Sequence, residues 1–308
     1  MTPSLVPAPR AIRLALIMAA MCVVAPLVST PAALGQQTST GRVVPSTSTQ
    51  LVVGIVTGWN DKDVALHRFT RKQGKAWVED RAPWKGRLGT RGVAWGRGLH
   101  PHEPIPDGAT DKIEGDHRAP AGVFRLGTVF GYPVDVPHPR ATKYLQVTDR
   151  DLLVEDPQSS LYNTHVRLDH PATSQWEIQN RMTLDDPAHE LKVFIRHNSD
   201  PTPVSGKGSA ILFHVARASE QAYTSGCTAM ERSEMYDTVA WLDAARDPLY
   251  ALLPQTMYDQ VAASWGLPKQ LVSVVKPSTI PVGTKPASGT HRSSVKPVPT
   301  TRKPAKGL

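Results

Sequence analysis

The apolar residues of this chain fall in short runs, and this spacing most constrains what it can fold into. Between residues 51 and 275, runs of three to seven residues rich in Val, Ile, Leu and Phe are separated by clusters of Gly, Pro and Asp. The runs are residues 51–57, 64–69, 76–78, 122–126, 144–148, 191–196 and 210–214. Short apolar runs bounded by turn residues predict β-strands. The density of turn residues favours a mainly β sandwich or barrel over alternating strands and helices.

Helical periodicity is confined to the end of this region. From residue 233, the spacing places Met235, Val239 and Leu242 on one face, which is typical of an amphipathic helix. The hydroxyl of Ser233 is a candidate cap for its first turn. Residues 250–265 predict a second, weaker helix. We therefore expect a mainly β domain with one or two helices.

The N-terminal segment has the three-part layout of a secretory signal. Two arginines precede an almost wholly apolar run over residues 14–27, and residues 33–35 resemble a signal-peptidase site. A retained membrane anchor is the alternative, but the run is shorter than the roughly 20 residues needed to span a bilayer. We expect residues 1–35 to be a signal peptide and residues 36–50 a linker. The protein would then be exported, to the periplasm, the cell wall or the extracellular space.

The C-terminal segment carries most of the positive charge of the chain. Residues 276–308 are rich in Pro, Ser, Thr and Gly, with seven Lys or Arg and no acidic residue. This composition predicts a disordered basic tail. The whole chain carries a net charge of +8, so the domain over residues 51–275 is close to neutral, which argues against a nucleic-acid surface. The tail could contact anionic wall polymers or lipid headgroups, or remain solvated without a specific partner.

Cys227 is the single cysteine of the chain once the signal is removed. In an oxidising compartment such a thiol is a buried structural residue, an intermolecular bridge or a reactive group. The small polar run over residues 224–227, just ahead of the predicted helix, favours the reactive interpretation. Glycine before a nucleophile lets the backbone approach a substrate closely. The amides of Ser225 and Gly226 could then face a developing oxyanion.

A thiol nucleophile needs a base, because at an ordinary pKa of roughly 8.5 only a few per cent is ionised at neutral pH. His214 is the natural candidate, since it closes an apolar strand thirteen residues before Cys227. His117 is the main competitor. No HxxxH or HExxH spacing occurs, and one cysteine cannot make a typical zinc cluster, so a metal site is not expected.

Three segments together carry a resemblance to a known family. Residues 208–214, GSAILFH, and residues 224–230, TSGCTAM, resemble the active-site signature of the L,D-transpeptidase (YkuD-like) catalytic domain. Residues 112–124, KIEGDHRAPAGVF, match the KxEGDxxxPAGxF segment of one branch of that family. The resemblance covers roughly residues 51–253.

The resemblance implies a YkuD-like β-sandwich domain that acts on peptidoglycan stem peptides. Cys227 would be the nucleophile and His214 the base, with Ser225 and Gly226 near the oxyanion, and no cofactor would be needed. The thiol would attack the third residue of a tetrapeptide stem and release D-Ala. A diaminopimelate amine would then give a 3→3 cross-link, and a free D-amino acid would give exchange. Water would make the protein an L,D-carboxypeptidase or hydrolase.

Residues 154–163, VEDPQSSLYN, are similar to a further piece of the same branch. Four residues in this piece and in the KxEGDxxxPAGxF segment have two open interpretations. Glu114, Asp116, Tyr162 and Asn163 line the substrate groove or orient His214, or they only form turns and pack loops. Two further classes of protein compete with the transpeptidase. One is a non-catalytic wall-binding module with a structural cysteine. The other is a papain-like or NlpC-type peptidase, in which the cysteine usually precedes the histidine, the reverse of the order here.

Overall fold

In the computed structural model, the described residues are 41–139, 141–219 and 222–269. The predicted signal peptide over residues 1–35 and the predicted tail over residues 276–308 lie outside them. The strands are β1 (Gln50–Val56), β2 (Asp63–Thr70), β3 (Val78–Glu79), β4 (Trp84–Arg87), β5 (Val93–Trp95), β6 (Ala119–Gly131), β7 (Tyr144–Gln146), β8 (Asp151–Leu153), β9 (His165–Arg167), β10 (Leu191–Ile195), β11 (Leu212–Val215), β12 (Thr228–Met230) and β13 (Leu249–Pro254). The helices are α1 (Gln175–Asn180), α2 (Arg232–Trp241) and α3 (Gln255–Trp265), with short 3-10 helices at Pro187–His189 and Ala244–Arg246. The predicted mainly β fold is confirmed, and each of the seven predicted runs overlaps a strand.

Eight strands pair into a sheet that closes on itself. Their order is β1, β13, β6, β10, β11, β12, β4 and β2, and β2 pairs back with β1. The β1–β2 pair is the hairpin expected from the sequence, with Leu51 opposite Phe69. Most neighbours are antiparallel, but β1 with β13 and β11 with β12 are parallel. Closure leaves these eight strands without a free edge within the ring.

The burial of each strand follows its sequence pattern. Every residue of β1 and of β13 is buried, as expected for near-continuous apolar runs enclosed on both faces. In β2 buried residues are interspersed with exposed or half-buried ones, so it contributes mainly one face to the core. Helix α2 packs Met235 and Val239 into the same core, and α3 packs Tyr258 and Trp265 there.

Two helix predictions need correction. The N-cap of α2 is Glu231, not Ser233, and no side chain caps this helix. Residues 250–254 were predicted as the start of a helix, but they belong to β13, and α3 begins only at Gln255. A fully apolar run of six residues does not distinguish a buried strand from a buried helix by periodicity. Here residues 249–254 form a strand, because their backbone groups pair with those of β1 and β6.

Residues 43–50 also differ from the linker predicted over residues 36–50. Val44 is fully buried, and its N–H donates to the Trp265 carbonyl at 2.9 Å. The hydroxyl of Ser48 donates to Asp247 Oδ2 at 2.7 Å. These residues therefore pack as part of the domain. No helix in the described ranges is long and apolar enough to cross a membrane.

Candidate active site

Parallel strands β11 and β12 place Cys227 and His214 beside one another. His214 pairs with Ala229 and Phe213 with Thr228, so Cys227, just before β12, lies next to Leu212. Leu212 and His214 are two residues apart and share one face of β11. Both Cys227 and His214 line a cavity of about 350 Å³. No hydrogen bond joins the two side chains in the described part of the chain.

Cys227 is half-buried, with two backbone groups of the neighbouring chain near its sulfur. Its Sγ lies 3.7 Å from the carbonyl oxygen of Ala210, and the N–H of Leu212 hydrogen-bonds to it. Burial raises the pKa of the Cys227 thiol to about 11, and the negative charge of Glu155 adds to that increase. In the free protein the group is therefore a thiol at neutral pH.

His214 is held as a neutral imidazole of defined tautomer. Its side chain is buried, with 3% of the residue exposed, and Nδ1 lies 2.8 Å from the carbonyl oxygen of Val215. A carbonyl only accepts, so Nδ1 carries the hydrogen and Nε2 keeps a free lone pair. Burial lowers the pKa of His214 to about 4. The residue is thus chemically suited to accept a proton at Nε2.

The turn before Cys227 is braced by a residue that the sequence analysis did not single out. The hydroxyl of Thr224 donates to the Cys227 carbonyl at 2.7 Å and accepts the N–H of Gly226 at 3.0 Å. Gly226 has φ 146°, and a Cβ there would lie 3.0 Å from the Arg118 carbonyl oxygen, so glycine is required. The predicted oxyanion role of the Gly226 amide needs correction, because this amide is already engaged within the turn. Ser225 is exposed in the same turn and lines the cavity.

Glu114 lies at the cavity wall and is held there by two hydroxyl groups. Its Oε2 accepts hydrogen bonds from the buried hydroxyl of Tyr162 and, at 2.8 Å, from Ser209. Glu114 lines the cavity together with Ser209 and Glu155. Neither Glu114 nor Tyr162 hydrogen-bonds to His214, so the structure does not bring them to the base.

Asp116 is a turn residue and not part of the cavity lining. Its carboxylate forms a buried ion pair with Lys112, with Oδ1 and Nζ 2.7 Å apart. It also accepts the backbone N–H groups of Arg118 at 2.9 Å and Ile113 at 3.1 Å. For Asp116 the structure therefore supports the turn-forming interpretation. His117, the competing base, is exposed but does line the cavity.

Asn163 connects a buried loop to the residue next to the thiol. Its Nδ2 donates to the carbonyl oxygens of His197 and Asn198 at 3.0 and 2.9 Å, and its Oδ1 accepts the N–H of Ala210 at 3.0 Å. Ala210 has φ 52°, an uncommon conformation for a residue with a side chain. Asn163 thus holds the backbone of Ala210, whose carbonyl faces Cys227.

The sequence analysis missed several cavity residues, among them the ionisable residues Glu155, Arg181, His189, Lys192 and Arg217. Lys192 could have been recognised from the sequence, because it is a lysine inside the otherwise apolar run of β10. The others lie in irregular segments or at the end of a short helix.

Desolvation in the cavity and the neighbouring Glu114 raise the pKa of Glu155 to about 7. No group of three His, Cys, Asp or Glu in the described residues could hold a metal ion.

A family model of the YkuD L,D-transpeptidase catalytic domain matches residues 66–282. The matched span contains the cavity and the strands from β3 to β13. The match indicates a transpeptidase-type enzyme, and a domain of this kind implies a peptidoglycan substrate. The chain belongs to the YkuD family, which confirms the resemblance seen in the sequence at the level of the family. No curated protein matches the sequence.

Proposed function

We propose that this protein is a cysteine-dependent L,D-transpeptidase that acts on the tetrapeptide stems of peptidoglycan. One observation carries the proposal. Cys227, just before β12, and His214, on the adjacent parallel strand β11, line one cavity, and the hydrogen bond from Nδ1 to the Val215 carbonyl leaves Nε2 of His214 as a proton acceptor. A neutral imidazole beside a neutral thiol suits general-base catalysis, in which the proton moves as the sulfur attacks.

In the first half-reaction, Sγ of Cys227 attacks the carbonyl carbon of the third stem residue while its proton passes to Nε2 of His214. The carbonyl oxygen becomes an oxyanion near the exposed turn, where the amide of Ser225 is the candidate donor. The C–N bond to D-Ala then breaks, and His214 returns its proton to the departing amine. The product is a thioester between Cys227 and the tripeptide.

In the second half-reaction, an amine attacks the thioester carbon and gives a proton to His214. The C–S bond breaks, and the sulfur regains that proton. A diaminopimelate side-chain amine gives a 3→3 cross-link, and a free D-amino acid gives exchange. Water in place of the amine gives L,D-carboxypeptidase activity with the same two residues.

Intact-protein mass spectrometry tests the covalent step. After incubation with a soluble tetrapeptide stem, the wild type should gain the mass of the tripeptide acyl group, and folded Cys227→Ala should not. His214→Ala should slow acylation by roughly 10²–10⁴-fold, whereas His170→Ala, at an exposed histidine outside the cavity, serves as the matched control. Acylation of Cys227→Ala would eliminate this mechanism. Loss of acylation in His117→Ala but not in His214→Ala would transfer the base role to His117.

We also propose export and a wall contact from the two terminal segments. Residues 1–35 would be removed, so N-terminal sequencing of the exported protein should begin after residue 35. Deletion of residues 276–308, which include seven cationic residues, should leave peptide acylation unchanged and weaken binding to isolated sacculi, most clearly at low salt. Equal binding of the full-length and truncated proteins would contradict the wall contact.

A further inference from the structure

Lys192 is a buried cation at the wall of the candidate active site. It lies on β10 directly across from His214, lines the same cavity, and is 1% exposed. An ammonium group has three N–H donors. One donates to the Met182 carbonyl at 2.7 Å, and Nζ stands 5.0 Å from the centroid of the Tyr132 ring. Within the described ranges, its other two N–H groups have no hydrogen-bond acceptor.

The charge of Lys192 has no dedicated counterion among the described residues. Cys227 and then Asp151 are near enough to favour the charged form. The Cys227 group is a thiol at neutral pH, because burial raises its pKa to about 11. The carboxylate of Asp151 is held by Arg167 at 2.8 Å and by His165 at 2.9 Å. Of the two acids of the cavity, Glu114 is held by hydroxyl groups, and neither Glu114 nor Glu155 pairs with Lys192. Burial lowers the pKa of Lys192 only to about 8, so the amine is mostly protonated at neutral pH.

A buried charge without a counterion costs free energy, and such groups concentrate at functional sites. Arg181, which is half-buried, lines the same cavity. Its Nε donates to the Thr183 carbonyl at 2.9 Å, and it forms no ion pair with a described carboxylate. The wall formed by Lys192 and Arg181 therefore presents positive charge to whatever enters the cavity.

We propose that Lys192 binds a carboxylate of the peptide substrate, so that the cavity selects stems that carry this group beside the scissile bond. The inference rests on the proposed function. A stem peptide offers two such groups, the terminal carboxylate of D-Ala and the side-chain carboxylate of diaminopimelate. The thiolate of Cys227 is the competing anion. It is disfavoured because the pKa of Cys227 stays at about 11 with Lys192 in place.

Direct binding measurements separate this inference from the proposed chemistry. In the full chain carrying Cys227→Ala, calorimetry gives the Kd of three peptides. These are the diaminopimelate tetrapeptide, the same peptide with lysine at position three, and the same peptide ending in D-alaninamide. Each is measured with Lys192 intact and with Lys192→Met, which keeps the chain length without the charge. Lys85→Met, at an exposed position of β4, is the matched control.

We expect Lys192→Met to weaken binding of the diaminopimelate peptide by about 10- to 100-fold, the range for a charged hydrogen bond. The peptide without the recognised carboxylate should bind both proteins equally, which identifies the carboxylate. Lys85→Met should match the parent. Replacing an unpaired buried charge by an apolar side chain often leaves the stability of a protein unchanged or raises it, so Lys192→Met should fold. Lys192→Arg keeps the positive charge and should retain part of the affinity.

Equal affinity of all three peptides for the Cys227→Ala protein with Lys192 intact would overturn the inference, because the cavity would then not distinguish the carboxylates. So would an equal loss on all three peptides in Lys192→Met, since a loss that does not depend on the carboxylates of the peptide assigns Lys192 to the shape of the cavity and not to carboxylate binding. Acylation of the wild type is measured separately. Carboxylate-dependent binding without acylation would contradict the proposed function and leave the inference standing.

Discussion

The imidazole of His189 lies nearly parallel to that of His214, with ring centroids 5.0 Å apart and planes inclined by 15°. His189 ends a short 3-10 helix, Pro187–His189, and covers one face of the candidate base. Burial lowers the pKa of His189 to about 3 and that of His214 to about 4. The stack therefore helps to keep His214 neutral, and so able to accept a proton, well below neutral pH.

Replacing His189 should change the pH dependence of acylation. His189→Ala uncovers His214 to water, so the pKa of His214 should rise from about 4 towards the ordinary value of about 6.5. The acid limb of the rate against pH should then move to higher pH by up to two units. His189→Phe keeps an aromatic ring in the stack and is the matched control. An acid limb that stays in place in His189→Ala would show that the stack does not set this pKa.

The raised pKa of Cys227 predicts how the thiol reacts with a simple alkylating reagent. Only the thiolate reacts, so the rate with iodoacetamide should rise about tenfold per pH unit from pH 7 to about 10, without a plateau. Glu155→Gln removes a charge that raises this pKa, so its curve should be displaced to lower pH. A plateau near neutral pH in the wild type would instead indicate a preformed ion pair with His214.

The hydroxyl of Thr224 should matter to both stability and acylation. Thr224→Val keeps the shape of the side chain but leaves the Gly226 N–H and the Cys227 carbonyl without their partner. We expect the free energy of unfolding to fall by about 1–3 kcal/mol and acylation to slow. Urea unfolding and acylation rates measure the two effects, and Thr224→Ser should restore both. Wild-type behaviour of Thr224→Val would show that the turn is held by other contacts.

Two buried histidines away from the cavity predict a loss of stability in mild acid. Nδ1 of His100 accepts the Val123 N–H at 3.0 Å, and Nδ1 of His197 accepts the Arg97 N–H at 3.1 Å. Burial lowers their pKa values to about 4 and about 3. The unfolded chain therefore takes up protons first, near pH 6.5, and the contribution present above that pH decreases as the pH falls towards 4.

For His100 alone this amounts to roughly 3 kcal/mol between pH 7 and 4. Urea unfolding across this range should show the decline in the wild type. His100→Gln should make the slope shallower by about one proton, because one titrating group is removed. Equal unfolding free energies at pH 7 and pH 5 in the wild type would contradict this assignment.

Local patterns were sufficient for the strands that line the site and for the two residues at its centre. The runs that became β10 and β11 were predicted from short β-branched and aromatic segments, and the GSAILFH and TSGCTAM segments pointed to His214 and Cys227. Side-chain chemistry and spacing of this kind depend only on a few neighbouring residues. The Gly226 amide shows the limit of this approach, because its partner Thr224 became evident only with the geometry of the turn.

The sequence by itself determined the mainly β class and the family, and it predicted Cys227 and His214 as the residues at the centre of the site. Only the tertiary structure decided that residues 249–254 form a strand, since they pair with β1 from almost two hundred residues earlier in the chain. It alone decided that Lys192 and His189 reach the cavity. The reason is physical. Strand propensity is a property of neighbouring residues, whereas desolvation and pairing of a charge depend on which distant segments pack around it.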